Sequence, residues 1–273
     1  MKRNQGLLMA CVLGLGLSAE SVAGVIDVDG KLNDWGLSTQ WTPGNNDNGI
    51  GTYSYNTLTI HYSVEDYTGG YNLNGQVDPG YGGQAYDAEA LYVTWDAENL
   101  YIALVTGHNP ETPNNPSKNT YSTGDFALAF WDGTSTLTYS YGIETKGDFG
   151  YKGGIYKVSK WSESSLWGKP HITSISAGNK VNEASLAIST SPLTNIGSND
   201  TDKHWIYELS APLSAFGDIA GKKLSVYWTM NCANDMIEAD PEFPTRVDEP
   251  PVWALLGLTL PVAFWRRRRS AKR

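Results

Sequence analysis

Apolar and polar residues alternate along much of this chain, and the alternation predicts an all-β body. Ala90 to Trp95 and Asn99 to Val105 flank a short Asp96-Ala97-Glu98 turn, which is typical of a β-hairpin. In Leu224 to Cys232 every second residue is apolar, so one face of a strand is expected to be buried. Further strands are expected at Asp125–Trp131, Leu137–Ile143, Ser185–Ser189 and Trp205–Leu209.

These short strands, separated by Gly, Asn, Asp and Pro turns, favour a single antiparallel β-sandwich or jelly roll. We expect residues 24–238 to form this domain. Two stretches rich in Pro, Gly and Asn, Gly69 to Gly83 and His108 to Ser122, are expected to be long surface loops. Residues 239–246 are acidic and proline-bearing, which is typical of a tether.

The N-terminal 23 residues have the order of a secretory signal peptide. Lys2 and Arg3 are basic, Gly6 to Leu17 is apolar, and Ser21-Val22-Ala23 offers small residues at the cleavage position. The mature chain is therefore expected to begin at Gly24 and to be exported.

Val252 to Trp265 is apolar and uncharged, and it predicts a single transmembrane helix. About 14 residues rise about 21 Å, which is shorter than the roughly 30 Å hydrocarbon core. Arg266 to Arg269 follow directly, and an arginine cluster at this end of the helix predicts that the C-terminal end stays on the cytoplasmic side. The alternative is a buried core helix followed by a basic tail.

The same C-terminal segment, residues 247–273, resembles the PEP-CTERM sorting signal, in which a short Pro/Glu motif precedes an apolar helix and an arginine cluster. An Ala254-Leu255-Leu256-Gly257-Leu258 run lies in the helix, and Asp248 departs from the pattern because a proline is usual there. The residues that match the motif and the cluster are Val247, Glu249, Pro250, Arg266, Arg267, Arg268 and Arg269.

This resemblance implies an exosortase-type processing protease as partner, in a Gram-negative bacterium that makes exopolysaccharide. It implies transient association with the inner membrane, cleavage near Glu249-Pro250, and release to the cell surface or the extracellular matrix.

The start of the body, Val25 to Trp35, is similar to the opening of family 9 carbohydrate-binding modules, and Leu91 to Val105 is similar to their next hairpin. These domains imply a β-sandwich and a possible carbohydrate ligand. Other segments resemble a set of secreted PEP-CTERM proteins for which the resemblance implies no activity; they are Tyr86–Tyr92, Tyr101–Gly107, Gly124-Asp125 and Asn231–Asp235.

Charge and cysteine content narrow the classes of function. The chain has a formal net charge of −9, and the body is more acidic still once its basic ends are set aside, which argues against nucleic acid or anionic membrane as a partner. Cys11 belongs to the signal, so Cys232 is the single cysteine of the expected mature chain and has no partner for an internal disulfide. It shares an apolar strand face with Trp228 and is expected to be a buried small hydrophobe.

Oxygen-bearing side chains around turns raise the expectation of a structural calcium ion. One group surrounds a glycine turn near the start of the body, and the other lies at strand entries that could converge at one end of the sandwich. The candidate ligands are Asp27, Asp29, Asp34, Asp87, Glu89 and Asp125. The alternative assigns these residues to turns and solubility.

Three loop tryptophans, Trp41, Trp161 and Trp167, are the candidates for stacking on sugar rings, with core packing as the alternative. Catalytic signatures are weak. The four histidines are scattered, no G-x-S-x-G motif occurs, and Asp87 with Glu89 is the nearest approach to a carboxylate pair. We therefore expect a non-catalytic surface or matrix protein that binds exopolysaccharide. The alternatives are a glycan-active hydrolase or lyase with an unrecognised site and a purely structural matrix protein.

Overall fold

The computed structural model describes residues 26–37, 49–64, 82–164, 170–194 and 201–243. Within these ranges the chain forms two antiparallel sheets of six strands each, so the prediction of an all-β sandwich is confirmed. The first sheet has the order β1-β2-β3-β4-β10-β9, and the second has the order β12-β11-β5-β6-β7-β8.

The strands are β1 (Gly49–Tyr55), β2 (Leu58–Val64), β3 (Ala88–Trp95), β4 (Asn99–Thr106), β5 (Phe126–Trp131), β6 (Tyr141–Ile143), β7 (Gly154–Ser164), β8 (His171–Glu183), β9 (Ser185–Ile188), β10 (Trp205–Pro212), β11 (Lys223–Thr229) and β12 (Met236–Ala239). Helical structure in the described ranges is limited to four 3₁₀ turns, at Asn33–Trp35, Gln84–Tyr86, Pro116–Lys118 and Leu213–Phe216.

The β3–β4 hairpin forms where the alternation predicted it. Asp96 closes the turn, because its Oδ1 accepts the backbone N–H groups of Glu98 and Asn99, both at 2.7 Å. Its Oδ2 accepts the hydroxyl of Tyr101 at 2.8 Å. The carboxylate of Asp96 therefore accepts hydrogen bonds from donors that the pairing of the two strands leaves without an acceptor.

The main core lies between the two sheets and is built from alternate strand residues. Leu91 and Val93 of β3 face Leu128 of β5 and Trp228 of β11, and all four are fully buried. Cys232 is also buried in this core, as the sequence predicted.

A second apolar layer covers the outer face of the first sheet. Residues 26–37 cross this face, and Trp35 is fully buried against it. The buried carboxylate of Glu208 fixes the crossing: its Oε1 accepts the indole N–H of Trp35, and its Oε2 accepts the backbone N–H groups of Asp29 and Gly30, each at 2.8 Å. Burial, the largest influence, raises the pKa of Glu208, while the three donors oppose that rise.

The β7–β8 hairpin is long, and several register shifts bend it. We call its distal part, residues 159–164 and 171–176, the arm. The arm packs Trp161 and Ile172 against the small cluster of Ala127, Tyr227 and Met236 on the outer face of the second sheet. The alternation in the sequence did not reveal this hairpin.

Two predicted boundaries differ from the structure. Leu137 to Ile143 was expected to be one strand, but only its last three residues form a strand. The sandwich continues past residue 238, since Phe243 is buried in the core and donates its N–H to the carbonyl of Lys222. The first part of the expected tether therefore packs on the domain.

The expected signal peptide and sorting segment lie outside the described residues. Among the helices in the described ranges, none has the length and apolar character needed to cross a membrane.

Replacing Glu208 with alanine tests the role of the carboxylate. Glu208→Ala leaves three donors without their acceptor, so we expect the free energy of unfolding to fall by about 3 kcal/mol in urea denaturation. Glu183→Ala, at an exposed position on β8, is the control and should change it by less than about 0.5 kcal/mol. Equal stability of the two variants would contradict this account of how the N-terminal segment is held.

Candidate functional site

The three predicted sugar-binding tryptophans are only partly described. Trp41 and Trp167 lie outside the described residues. Trp161 lies on the arm, half-buried, with its indole N–H donated to the carbonyl of Tyr139 at 2.8 Å.

The ring of Trp161 is fixed by its packing against Gly142. A Cβ atom on Gly142 would lie 2.7 Å from Cη2 of Trp161, so the ring packs directly on the glycine backbone. The same glycine contacts the side chain of Ile175. Trp161 also lines a depression of about 670 Å³ together with Ser159, Lys160 and Ser176. The ring thus packs on the protein on one side and lines a surface depression as well.

A second cavity, of about 510 Å³, adjoins this depression at the end of the sandwich where β5 begins. Three pieces of chain surround it: the loop before β5, the turn after β6, and the arm. The lining combines aromatic rings with hydroxyl, amide and charged groups, including Tyr121, Phe149, Lys146, Asp148, Glu163, Ser174 and Asn231. We call this space the central groove.

The turn after β6 places an aromatic ring at the central groove. Glu144 is buried, and its two carboxylate oxygens accept the backbone N–H groups of Phe149 at 2.7 Å and Gly150 at 2.8 Å. Phe149 is 36% exposed and meets Tyr156 edge to face at 5.1 Å between ring centroids. Phe149 was not predicted from the sequence, because an aromatic residue in a Gly/Asp turn carries no periodic signal.

Asp125 forms the base of the central groove and joins three elements. Its Oδ1 accepts the N–H of Thr145 after β6 at 2.9 Å, and its Oδ2 accepts the N–H of Ile175 in the arm at 2.8 Å. Its own N–H is donated to the carbonyl of Thr173 at 2.9 Å. Burial raises the pKa of Asp125 to about 7, against the effect of these hydrogen bonds.

Neighbouring Gly124 explains how closely these elements approach. Its N–H is donated to the carbonyl of Thr229 at 3.1 Å. A Cβ at this position would lie 2.2 Å from that oxygen and 2.4 Å from the carbonyl oxygen of Thr173. No other residue fits without moving the backbone of β8 or β11.

The expected convergence of Asp87, Glu89 and Asp125 on one ion is not found. Asp125 is committed to backbone donors, whereas Glu89 pairs with His204, with 2.5 Å between Oε2 and Nε2. Asp87 is buried at the entry to β3, where its carbonyl accepts the N–H of Gly107.

The other candidate ligands, Asp27, Asp29 and Asp34, make contacts within their own loop. Asp34 accepts the N–H of Asp27 at 2.5 Å, and Asp29 pairs with Lys31 at 2.5 Å. In the ranges the structure describes, no group of three His, Cys, Asp or Glu side chains is arranged to hold a metal ion.

A reactive thiol is also not indicated. Burial raises the pKa of the Cys232 thiol to about 12, so little thiolate forms at neutral pH.

A third cavity, of about 530 Å³, adjoins the central groove on the side away from the arm. Trp205 lines it, together with Glu111, Lys152 and Thr190. At the opposite end of the sandwich, a separate cavity of about 650 Å³ lies between the β3–β4 turn and Phe243, and its walls include Trp95 and Leu213.

Comparisons of the chain with family models, with curated proteins and with solved structures returned no match.

The protonation of Asp125 should make the stability of the domain depend on pH. Its folded-state pKa of about 7 lies above the ordinary value of 3.8, so the stability that its protonated form contributes is fully present below about pH 4 and is lost as pH rises through about 7. The amide side chain of the Asp125→Asn variant does not ionise, so the stability of this variant lacks the pH-dependent contribution. We expect the stability advantage of the wild type over this variant to shrink by on the order of 2 to 4 kcal/mol between pH 4 and pH 8 in urea denaturation. A constant difference over that interval would contradict the assignment.

Proposed function

We propose that this protein is an exported, non-catalytic surface or matrix protein that binds exopolysaccharide in the central groove. The observation that carries the proposal is the partly exposed ring of Phe149, fixed beside hydroxyl, amide and charged groups in a cavity of about 510 Å³. A sugar presents an apolar face and a rim of hydroxyls. An aromatic ring and nearby hydrogen-bonding groups complement both features.

Charge supports a hydroxyl-rich ligand over a strongly anionic one. The whole chain carries a formal net charge of −9, which repels polyanions. Lys146 in the groove donates to the carbonyl of Thr112 at 2.9 Å, so one of its donors is already used. The remaining polar groups of the groove can both donate to and accept from hydroxyls.

Export and sorting are part of the proposal and are supported by the sequence patterns at the two ends. An N-terminal signal peptide and the resemblance to the PEP-CTERM signal support passage through the inner membrane and cleavage by an exosortase-type protease. A location among secreted polysaccharides would supply the groove with its ligand.

One observation favours a second candidate function, a glycan hydrolase. Asp125 is a buried carboxyl group at the groove with a pKa of about 7, and Glu163 lines the same cavity. Glycosidases use one carboxyl group of raised pKa and a second that is ionised. Against this role, both Asp125 oxygens accept backbone N–H groups, which indicates a structural role for the residue.

Removing the ring of Phe149 tests the binding proposal. In affinity electrophoresis with exopolysaccharide from the producing bacterium and a panel of neutral polysaccharides, Phe149→Ala should bind about tenfold more weakly, because the stacking surface is lost. Tyr151→Ala is the matched control, since Tyr151 is 64% exposed in the same turn but does not line the groove.

Full retention of binding by Phe149→Ala would contradict the proposed site. Release of reducing sugar from the same panel by the wild type, abolished in Asp125→Asn, would instead establish the hydrolase.

The sorting proposal predicts the mass of the mature protein. Intact-mass measurement of protein recovered from the medium and the membranes of the host should give a species that begins at Gly24 and ends near Glu249-Pro250. A mature species that still carries Trp265 and the terminal arginines would contradict processing and leave a membrane anchor.

A further inference from the structure

We infer that the central groove is the middle of a longer path, open at both ends, that takes an internal segment of a neutral polysaccharide chain. This inference deepens the proposed function and rests on it. It adds the mode of binding: the chain passes through, and its end is not required.

The three cavities at this end of the sandwich adjoin one another. The cavity beside Trp205 and the central groove share two lining residues, Thr123 and Lys146. The central groove and the depression beside Trp161 share Ser162 and Glu163. The three cavities are therefore neighbours in a series that runs from β10, over the entry to β5, to the arm.

Each cavity along this path presents its own aromatic ring. Trp205 lines the first, Phe149 the second and Trp161 the third, and hydroxyl and charged groups lie between them. Repeated stacking positions suit a polymer with repeated rings. The three volumes, about 530, 510 and 670 Å³, each lie in the range of about 300 to 1,000 Å³ that holds a single small ligand. The path therefore holds more than one sugar unit.

Exposed side chains stand at both ends of the path. Thr190 borders the first cavity, and Ser159 borders the depression on the arm. Both positions are accessible to solvent, so a larger side chain there would contact a polysaccharide chain that extends past the central groove.

The charges along the path point to a neutral chain. Three exposed carboxylates, Glu111, Asp148 and Glu163, are distributed over the same cavities as three lysines. The lysines are Lys146, Lys152 and Lys160. A polyanion or a polycation would meet like charges in each cavity, whereas hydroxyl groups can pair with both signs.

A ladder of oligosaccharides tests the inference with the full mature protein. The probe is a size-graded series of about two to eight units, prepared by partial hydrolysis of the polysaccharide that the wild type retains in affinity electrophoresis. Calorimetry should show affinity rising at least about tenfold from the disaccharide to the hexasaccharide as further rings engage.

Blocking each end separates this mode from chain-end binding. Thr190→Arg and Ser159→Arg should each weaken hexasaccharide binding about tenfold, because each arginine obstructs one end of the path. Disaccharide binding should weaken less, because a disaccharide can occupy a cavity that the arginine does not reach. Thr136→Arg, at an exposed site in the β5–β6 connection, is the control and should change neither.

Affinity that does not depend on length would overturn the inference while leaving glycan binding intact. An effect of only one of the two end variants would also overturn it, since the path would then be closed on one side. If the wild type retains no polysaccharide at all, the proposed function fails, and this inference fails with it.

Discussion

The groove depends on one buried carboxylate, Asp125. Its side chain accepts the backbone N–H of Thr145, just after β6, and the backbone N–H of Ile175 in the arm. Its own N–H is donated to the carbonyl of Thr173, also in the arm. These bonds hold three otherwise separate pieces of chain around a common space. Because the two side-chain bonds end on both carboxyl oxygens, the shape of the groove and the ionisation of Asp125 are coupled.

Glu208 and Glu144 also hold segments of the chain in place through a buried carboxylate. Glu208 fixes the N-terminal segment over the first sheet, and Glu144 fixes the turn that carries Phe149. Each carboxylate is buried and satisfied by donors from backbone or indole N–H groups. A buried acid is costly without such partners, so these contacts specify where loops dock. In this acidic chain, several carboxylates thus have structural roles.

Parts of the fold that bury one or both faces of a strand were readable from the sequence. The β3–β4 hairpin and β11 carry apolar side chains at the positions that face the core, and their alternation is clear. The β7–β8 arm was not readable, because most of its residues are polar and its register shifts break the period of two. Its position is set by contacts with distant residues such as Asn231 and Asp125.

The candidate site was readable only in part for the same reason. Trp161 was expected in a loop but lies on strand β7 of the arm, whereas Phe149 and Trp205 are brought to their cavities by tertiary structure. Asp87, Glu89 and Asp125 were grouped by their positions at strand entries. The structure separates them, since Asp125 accepts the N–H groups of Thr145 and Ile175 whereas Glu89 pairs with His204. Sequence spacing does not reveal which distant groups a buried carboxylate will meet.

The central claim is that glycan binds along the end of the sandwich that carries the groove. Its most direct test is an NMR titration of the indole N–H signals of the mature protein with a hexasaccharide of the retained polysaccharide. The account predicts that the signals of Trp161 and Trp205 shift together, while those of Trp95, at the opposite end, and Trp228, in the core, stay in place. Shifts at Trp95 with none at Trp161 and Trp205 would contradict it.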